Sequence, residues 1–184
     1  KIVKMLIDII EKFIPYFRRN IYKETNFSFD ENIKKIKNNV ILDGYWQSEK
    51  YFYNIQELIR EQFTFKEPSN FENKEMARII TSLQSVCIHI RRTDYVTNKT
   101  TNHSHGVMTI EYYKRAIDYI SNKYANAHFF VFSDDSDWAQ KKMANFISTT
   151  FITHNGQDKE FEDLRLMSLC KHQIIANSSF SWWA

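Results

Sequence analysis

The chain has 184 residues, 43% of them hydrophobic and 16% aromatic, which excludes a disordered protein and favours one well-cored domain, or one domain and part of another. With three glycines and two prolines, linker-like or collagen-like tracts are excluded as well. The net charge of +3 permits an anionic ligand, but the basic residues are too dispersed to indicate a nucleic-acid partner.

The first predicted element is an amphipathic helix over residues 1–19, where apolar side chains recur at helical spacing among basic ones. A helix that lies on a membrane surface is the alternative. Charges interrupt this stretch and no cleavage site follows it, so we do not expect a signal peptide. No apolar run approaches the roughly 20 residues that a membrane span needs. Cys87 and Cys170 have apolar neighbours, which predicts buried, reduced thiols and a cytoplasmic protein.

The front part of the chain predicts two helices around one strand. Residues 30–38 predict a basic helix with an acidic first turn, and residues 40–42 predict a short buried strand that ends at the Asp43–Gly44 turn. Residues 47–63 predict a second helix, because their apolar side chains recur at helical spacing. The predicted linker is Lys66–Asn73, which contains a proline.

In the back part of the chain, apolar strands alternate with amphipathic helices. The predicted strands cover residues 85–90, 128–132, 150–152 and 173–176, the predicted helices cover residues 109–123, 137–145 and 161–170, and residues 95–106 form a polar loop. Thr109 is the predicted cap of the first of these helices. This alternation predicts a doubly wound parallel sheet of the α/β class.

Three of the predicted strands end in polar residues, namely Arg91–Asp94, Ser133–Asp135 and Asn177–Ser179. The carboxyl ends of parallel strands share one edge of the sheet, where open α/β sheets bind ligands. Arginine presents a rigid fork that fits phosphate oxygens, and carboxylates accept hydrogen bonds from ribose hydroxyls or a guanine N–H edge. Taken singly, these groups are explained equally well as solvated arginines, helix caps or turns. Their convergence favours a nucleotide site.

Several segments together resemble one family of enzymes. His89–Asp94 matches the H-x-R-R-x-D motif of α1,2- and α1,6-fucosyltransferases. The stretches Phe161–His172 and Ile174–Ala184 resemble the closing signature of the α1,2 enzymes, Ile41–Phe52 resembles their G-Y-[FW]-Q-S-E-K-Y-F block, and Phe132–Asp135 also aligns. The chain is therefore similar to the α1,2-fucosyltransferase family from about Asn39 to its end.

The resemblance implies a GT-B-like glycosyltransferase with two Rossmann-like domains, of which residues 1–70 belong to the acceptor-side domain and residues 74–184 to the GDP-fucose-binding domain. It implies transfer of L-fucose from GDP-fucose to the 2-hydroxyl of a terminal galactose, with inversion and without a metal or other cofactor. The family's Gly-rich opening segment has no counterpart here, and relatives continue beyond Trp183–Ala184. We therefore expect a chain truncated at both ends, with the first domain incomplete and the second mostly present.

Carried over by motif position, the resemblance implies a donor site made of His89, Arg91, Arg92, Asp134, Asp135, Asn177, Ser178 and Ser179. Arg91 would bind the β-phosphate and take part in catalysis, and His89 with one of the two aspartates would bind the guanosine. Ser178 or Ser179 would bind the phosphates. Arg92 and Asp94 are expected to brace the loop as an ion pair, with Asp94 a second catalytic candidate.

The acceptor side is less defined. Its candidate residues are His103, His105 and Asp163, and the general base is left open among Asp94, Glu160 and Asp163. We expect no metal site, because the two histidines lack a third ligand at suitable spacing and the acidic residues after Ser133 suit a helix cap. Trp182 and Trp183 are expected either in the core or stacked on a sugar.

Two other functions remain open on sequence alone. One is an α1,6-type fucosyltransferase, which shares the arginine motif but lacks the closing signature. The other is a catalytically silent relative that binds nucleotide or glycan. The expected partners are GDP-fucose and a galactose-terminated oligosaccharide or glycolipid, with no nucleic acid. The expected location is the cytoplasm, with peripheral association at the inner face of a bacterial membrane as a further option.

Overall fold

The structure, a computed structural model, describes residues 13–15, 21–36, 39–65, 70–97, 106–144 and 148–184. The predicted helix over residues 1–19 lies almost wholly outside this part, as does half of the predicted linker. The chain forms two compact units, Lys1–Thr64 and Phe65–Ala184. The assignment of an acceptor side and a donor side to the two parts of the chain stays a prediction.

The first unit contains a small parallel sheet. Strand β1 (Ile21–Lys23) pairs with β2 (Ile41–Asp43), with Ile21 opposite Ile41. The other elements among its described residues are 3-10 turns at Glu31–Lys35, Glu49–Tyr51 and Tyr53–Ile55, followed by helix α1 (Gln56–Gln62).

Three predictions for the first unit were wrong in extent or burial. The helix over residues 30–38 is one 3-10 turn, begun by Asp30, whose side chain accepts a hydrogen bond from the Asn32 amide. The helix over residues 47–63 becomes α-helical only at Gln56, because Phe52 and Ile55 have φ values of −128° and −125°, outside the helical range. Strand β2 is exposed, with Ile41 at 67%, and β1 is the one strand that pairs with it among the residues described here.

The second unit is built on a parallel sheet of four strands. In chain order these are β3 (Gln84–Ile90), β4 (Ala127–Ser133), β5 (Thr149–Ile152) and β6 (His172–Ile174). Their order in space is β5-β4-β3-β6, and every pair is parallel. The prediction that Val86–Ile90, Phe129–Phe132 and Ile174–Ala176 are neighbouring parallel strands is confirmed in order and direction, but the last strand ends at Ile174 and not at Ala176. The chain moves outward from β3 through β5 and returns to pair β6 with β3, so the topological switch point lies between β3 and β6.

In its described part, the helices of the second unit are α2 (Phe71–Ser82), α3 (Thr93–Thr97), α4 (Ile110–Lys123), α5 (Ser136–Met143), α6 (Glu160–Ser168, after a 3-10 turn at Gln157–Lys159) and α7 (Ser179–Trp183). Thr109 caps α4, as predicted, by accepting a hydrogen bond from the Tyr112 amide at 3.2 Å. Asp135 caps α5 by accepting one from the Trp138 amide at 3.2 Å. None of the helices in the described part of the chain is long and apolar enough to cross a membrane.

The core of the second unit lies on both faces of the sheet. Alternate residues of β3 face opposite sides, so Val86 and Ile88 pack in one cluster with Tyr113 of α4, while Cys87 packs in the other with Leu166 of α6. Both cysteines are buried and free, as predicted. Helices covering both faces explain why these strands are continuous apolar runs in the sequence.

Candidate functional site

The ends of β3, β4 and β6 bring the predicted donor residues to one edge of the sheet. Arg91 follows β3, Asp134 follows β4, and Asn177 comes three residues after the end of β6. β3 and β6 flank the switch point, and open α/β sheets bind their ligands outside the strand ends at such a point. The structure therefore confirms that three polar strand ends share one edge.

Asp134 links the end of β4 to the loop after β3. Its Oδ1 accepts a hydrogen bond from the Arg92 amide at 2.9 Å. Its Oδ2 accepts from the Thr93 amide at 3.0 Å and from the Thr93 hydroxyl at 2.5 Å. Three donors from two successive residues thus hold one carboxylate, and they fix the position of the backbone that carries both arginines.

Arg91 lies between two carboxylates. Its Nε donates to Asp94 Oδ1 at 2.9 Å and lies 3.4 Å from Asp134 Oδ2. Both contacts use Nε, and the terminal nitrogens Nη1 and Nη2 make no hydrogen bond to any residue that the structure describes. The side chain is 33% exposed. Arg91 is thus oriented by acidic partners and keeps a two-nitrogen fork for an anion.

Arg92 is held differently. Its Nε lies 3.4 Å from Asp135 Oδ2, and its guanidinium carbon lies 3.9 Å above the ring of Trp138. Both partners belong to the start of α5, so Arg92 ties the loop after β3 to that helix. The predicted pairing of Arg92 with Asp94 is wrong: Asp94 pairs with Arg91, and Arg92 pairs with Asp135.

His89 is buried beside the arginines. Its carbonyl accepts a hydrogen bond from the Tyr113 hydroxyl at 3.1 Å, and its ring lies 5.7 Å from that of Phe180. Burial lowers the pKa of His89 to about 4; the nearby Asp134 opposes that shift and Arg91 adds to it. Its Nδ1 is buried and has no hydrogen-bond partner among the described residues. His89 therefore offers a neutral ring with an unused polar atom.

The buried position of His89 predicts a pH-dependent stability. Because its pKa is about 4 in the folded protein and 6.5 when exposed, the unfolded state binds the extra proton first as the pH falls. The free energy of unfolding that neutral, buried His89 contributes is fully present above pH 6.5. It is lost as the pH falls toward 4, and the loss amounts to about 3 kcal/mol. Urea unfolding at several pH values in this range should therefore show a flatter profile for His89→Gln than for wild type. Parallel profiles would contradict the assignment.

The residues after β6 form a turn at the same edge. Asn177 and Ser179 are exposed and Ser178 is half-buried. The Ser178 amide donates to the Ala176 carbonyl at 2.8 Å, which closes the turn. Beyond it, Trp182 and Trp183 pack edge to face at 4.9 Å in α7, and Trp183 remains half-exposed. The two indoles are therefore neither fully buried in the core nor isolated on the surface.

Asp163 lies in a polar cluster that sequence reasoning missed. The side-chain Nδ2 of Asn155 donates to Asp163 Oδ1 at 2.8 Å and to Asn73 Oδ1 at 3.1 Å. His154 Nε2 lies 2.9 Å from the same Asn73 oxygen. Burial raises the pKa of the Asp163 carboxyl, and the hydrogen bond from Asn155 opposes this. The sequence feature that could have indicated this cluster is His154–Asn155, two adjacent polar residues just after strand β5. His103 and His105, the other acceptor-side candidates, lie outside the described residues.

Among the described residues, no group of three or more His, Cys, Asp and Glu side chains is arranged to hold a metal ion. Asp135, one of the acidic residues after Ser133 that were interpreted as a helix cap, does cap α5.

The sheet and its edge define the class: an α/β protein of Rossmann-like topology whose switch point gathers arginine, carboxylate and hydroxyl groups. The family model described as Glycosyl transferase family 11 matches residues 3–184, so the chain belongs to that family. The resemblance to α1,2-fucosyltransferases inferred from the motifs is thereby confirmed.

Three relatives show the range of similarity. The chain is 41% identical over 165 residues to an alpha-1,2-colitosyltransferase of Escherichia coli, covering 85% of this chain and 56% of the relative. It is 33% identical over 174 residues to the O-antigen biosynthesis glycosyltransferase WbnK of Escherichia coli, covering 90% and 57%. It is 24% identical over 151 residues to galactoside alpha-(1,2)-fucosyltransferase 1 of Aotus azarae, covering 78% and 41%. The chain spans about half the length of these relatives.

Proposed function

We propose that the protein is a glycosyltransferase that moves L-fucose from GDP-fucose to the 2-hydroxyl of a terminal galactose with inversion. The observation that carries this proposal is the geometry of Arg91, whose Nε is fixed by two carboxylates while its terminal nitrogens remain available at the switch point. A phosphate group needs such a pre-oriented fork. The fold that presents it is the one that holds nucleotides in other open α/β sheets.

The chemistry that Arg91 would support is departure of GDP. When the bond from the sugar to the β-phosphate breaks, negative charge grows on the phosphate oxygens, and fixed donors lower the barrier. Arg91 would supply two such donors, and the hydroxyls of Ser178 and Ser179 would supply others. The Tyr95 hydroxyl donates to the Asn177 carbonyl at 3.0 Å, which joins the helix after the arginine pair to the serine turn. We therefore propose transfer without a metal ion.

His89 supports binding of the nucleoside part of the donor. Because burial lowers its pKa to about 4, the ring is neutral at neutral pH and places no second positive charge beside Arg91. A neutral imidazole nitrogen can donate to or accept from a ribose hydroxyl or a base edge. Asp134 and Asp135, both engaged by the arginine loop, would act on the guanosine chiefly by holding that loop in place.

We also propose the GT-B-like arrangement of two domains, with the second unit on the donor side. The proposed acceptor is a galactose-terminated oligosaccharide or glycolipid. The proposed location is the cytoplasm, which suits two buried cysteines that remain free although both belong to one packed cluster. Asp163 stays the acceptor-side candidate within the described residues.

A second candidate donor is GDP-colitose. It is favoured by one observation, the 41% identity to an alpha-1,2-colitosyltransferase. Colitose is fucose without its 3-hydroxyl, so the two donors share the GDP part and differ at one polar group of the sugar. A site built to hydrogen-bond that hydroxyl would discriminate strongly against colitose, whereas an apolar site would not.

The test is transfer with each donor. We expect the purified full-length version of the protein, given GDP-fucose and a galactose-terminated oligosaccharide, to form an α1,2-linked fucoside, identified by NMR, and to remain active in EDTA. The kcat/KM for GDP-fucose and for GDP-colitose is measured side by side. A higher value for GDP-colitose would replace the proposed sugar, a different linkage would remove the acceptor assignment, and loss of activity on chelation would remove the metal-independent mechanism.

A further inference from the structure

The turn formed by residues 175–179 is held by two tyrosines from outside it. The Tyr112 hydroxyl, on α4, donates to the Ile175 carbonyl at 2.8 Å. The Tyr95 hydroxyl, on α3, donates to the Asn177 carbonyl at 3.0 Å. The pairing of β6 with β3 ends at Ile174, so these carbonyls lie beyond the ladder and the tyrosines take the place of strand neighbours.

Two further carbonyls of the 175–179 turn also have donors within the second unit. The Ser181 hydroxyl lies 3.3 Å from the Ala176 carbonyl oxygen and 3.2 Å from that of Ser178. The Trp182 amide donates to Ser178 as well, at 3.1 Å. Four successive carbonyl oxygens therefore point at protein donors. Since a carbonyl oxygen repels phosphate, this arrangement removes the main obstacle to an anion at the turn.

The neighbouring Tyr113 shows that α4 reaches both sides of the switch point. Its hydroxyl donates to the His89 carbonyl on β3, while that of Tyr112 donates to the extension of β6. Burial raises the pKa of Tyr112, so its hydroxyl stays protonated and remains a donor at neutral pH. Tyr113 and Tyr112 therefore contact both sides of the switch point, the first on β3 and the second on the extension of β6.

We infer that Tyr95 and Tyr112 are positioning residues for the diphosphate of the donor, acting through the carbonyls that they turn away from the site. This inference rests on the proposed nucleotide-sugar function and assigns a role to residues outside the arginine motif and the serine turn. Tyr95 has an added effect, because it comes one residue after Asp94, the partner of Arg91, and so couples the arginine fork to the turn. Neither tyrosine needs to touch the donor.

The experiment compares binding of GDP with binding of guanosine, which lacks the phosphates. The variants are Tyr95→Phe, Tyr112→Phe and the double variant, each of which removes only a hydroxyl. Tyr119→Phe is the matched control, because Tyr119 lies on the same helix α4 and is 67% exposed. Affinities are measured by titration calorimetry, and the melting temperature of each variant is measured in parallel.

We expect GDP binding to weaken about fivefold in each single variant and about 25-fold in the double variant. Guanosine affinity should stay within about twofold of wild type, as should both affinities of Tyr119→Phe, since only the phosphate contacts depend on the turn. Unchanged GDP affinity in the double variant would overturn the inference. An equal loss for GDP and guanosine would also overturn it, because it would show a general structural role. If the wild-type protein binds no nucleoside diphosphate, the proposed function itself fails, independently of the tyrosines.

Discussion

Arg91→Lys is expected to lower the rate of transfer by about two to three orders of magnitude, the loss typical of removing a preorganised donor from a developing oxyanion. Lysine keeps the positive charge but replaces the planar fork with a single ammonium group. It also lacks Nε, through which Arg91 contacts Asp94 at 2.9 Å, so the new side chain would no longer be held in one orientation. The measurement is kcat/KM for GDP-fucose.

Two controls separate loss of the fork from loss of stability. Arg92→Lys should be milder, because a lysine can still lie over the Trp138 ring, where the guanidinium now lies at 3.9 Å. Arg78→Lys changes an exposed arginine of α2 and should have no effect. The melting temperature of Arg91→Lys should stay close to that of wild type. Near-normal turnover of Arg91→Lys would refute diphosphate recognition by this residue.

The edge of the sheet could be predicted from sequence because β3 and β4 are buried over most of their length on both faces. A strand covered on both sides is largely apolar, so the first charged residue after it marks where the cover ends. Arg91 and Asp134 are such residues, and the structure brings them within 3.4 Å of each other. The strand pattern alone therefore located the candidate site.

The pairing of charges within that site was predicted wrongly for a local reason. Residues two apart share a side in an extended chain, which suits an Arg92–Asp94 pair. The chain instead turns into helix α3 at Thr93, and a helical turn brings residues three apart together, so Asp94 meets Arg91. The signal in the sequence was Tyr95 itself, a large aromatic residue at the start of a stretch interpreted as a polar loop, and the structure buries it.

Long-range contacts were beyond the reach of sequence patterns. The cluster around Asp163 depends on Asn73, which is 82 positions from Asn155 in the chain and fully buried. Periodicity reports which face of an element is apolar, and it carries no information on which polar residue of another element will lie opposite. The prediction that strand β2 is buried was wrong for a related reason, because a short apolar run does not indicate how many strands will flank it.

The second large effect is expected at Asp134, whose carboxylate holds the arginine loop. Asp134→Asn replaces one acceptor oxygen with an NH₂ group, which must then face the Arg92 amide or the two donors of Thr93. Because three donors share one charged carboxylate whose side chain is only 16% exposed, we expect the free energy of unfolding to fall by about 2 kcal/mol. GDP affinity should fall with it, since Arg91 loses one of its two carboxylates.

Asp135→Asn is the matched comparison for Asp134→Asn. Asp135 caps α5 and contacts Arg92 only at 3.4 Å, and an asparagine can still cap, so its cost should stay below about 1 kcal/mol. Urea unfolding gives both free energies, and GDP titration is carried out well below either melting temperature so that only folded protein is compared. If both variants unfold at the same urea concentration as wild type, the carboxylate of Asp134 does not hold the loop, and the orientation of Arg91 must then come from Asp94 alone.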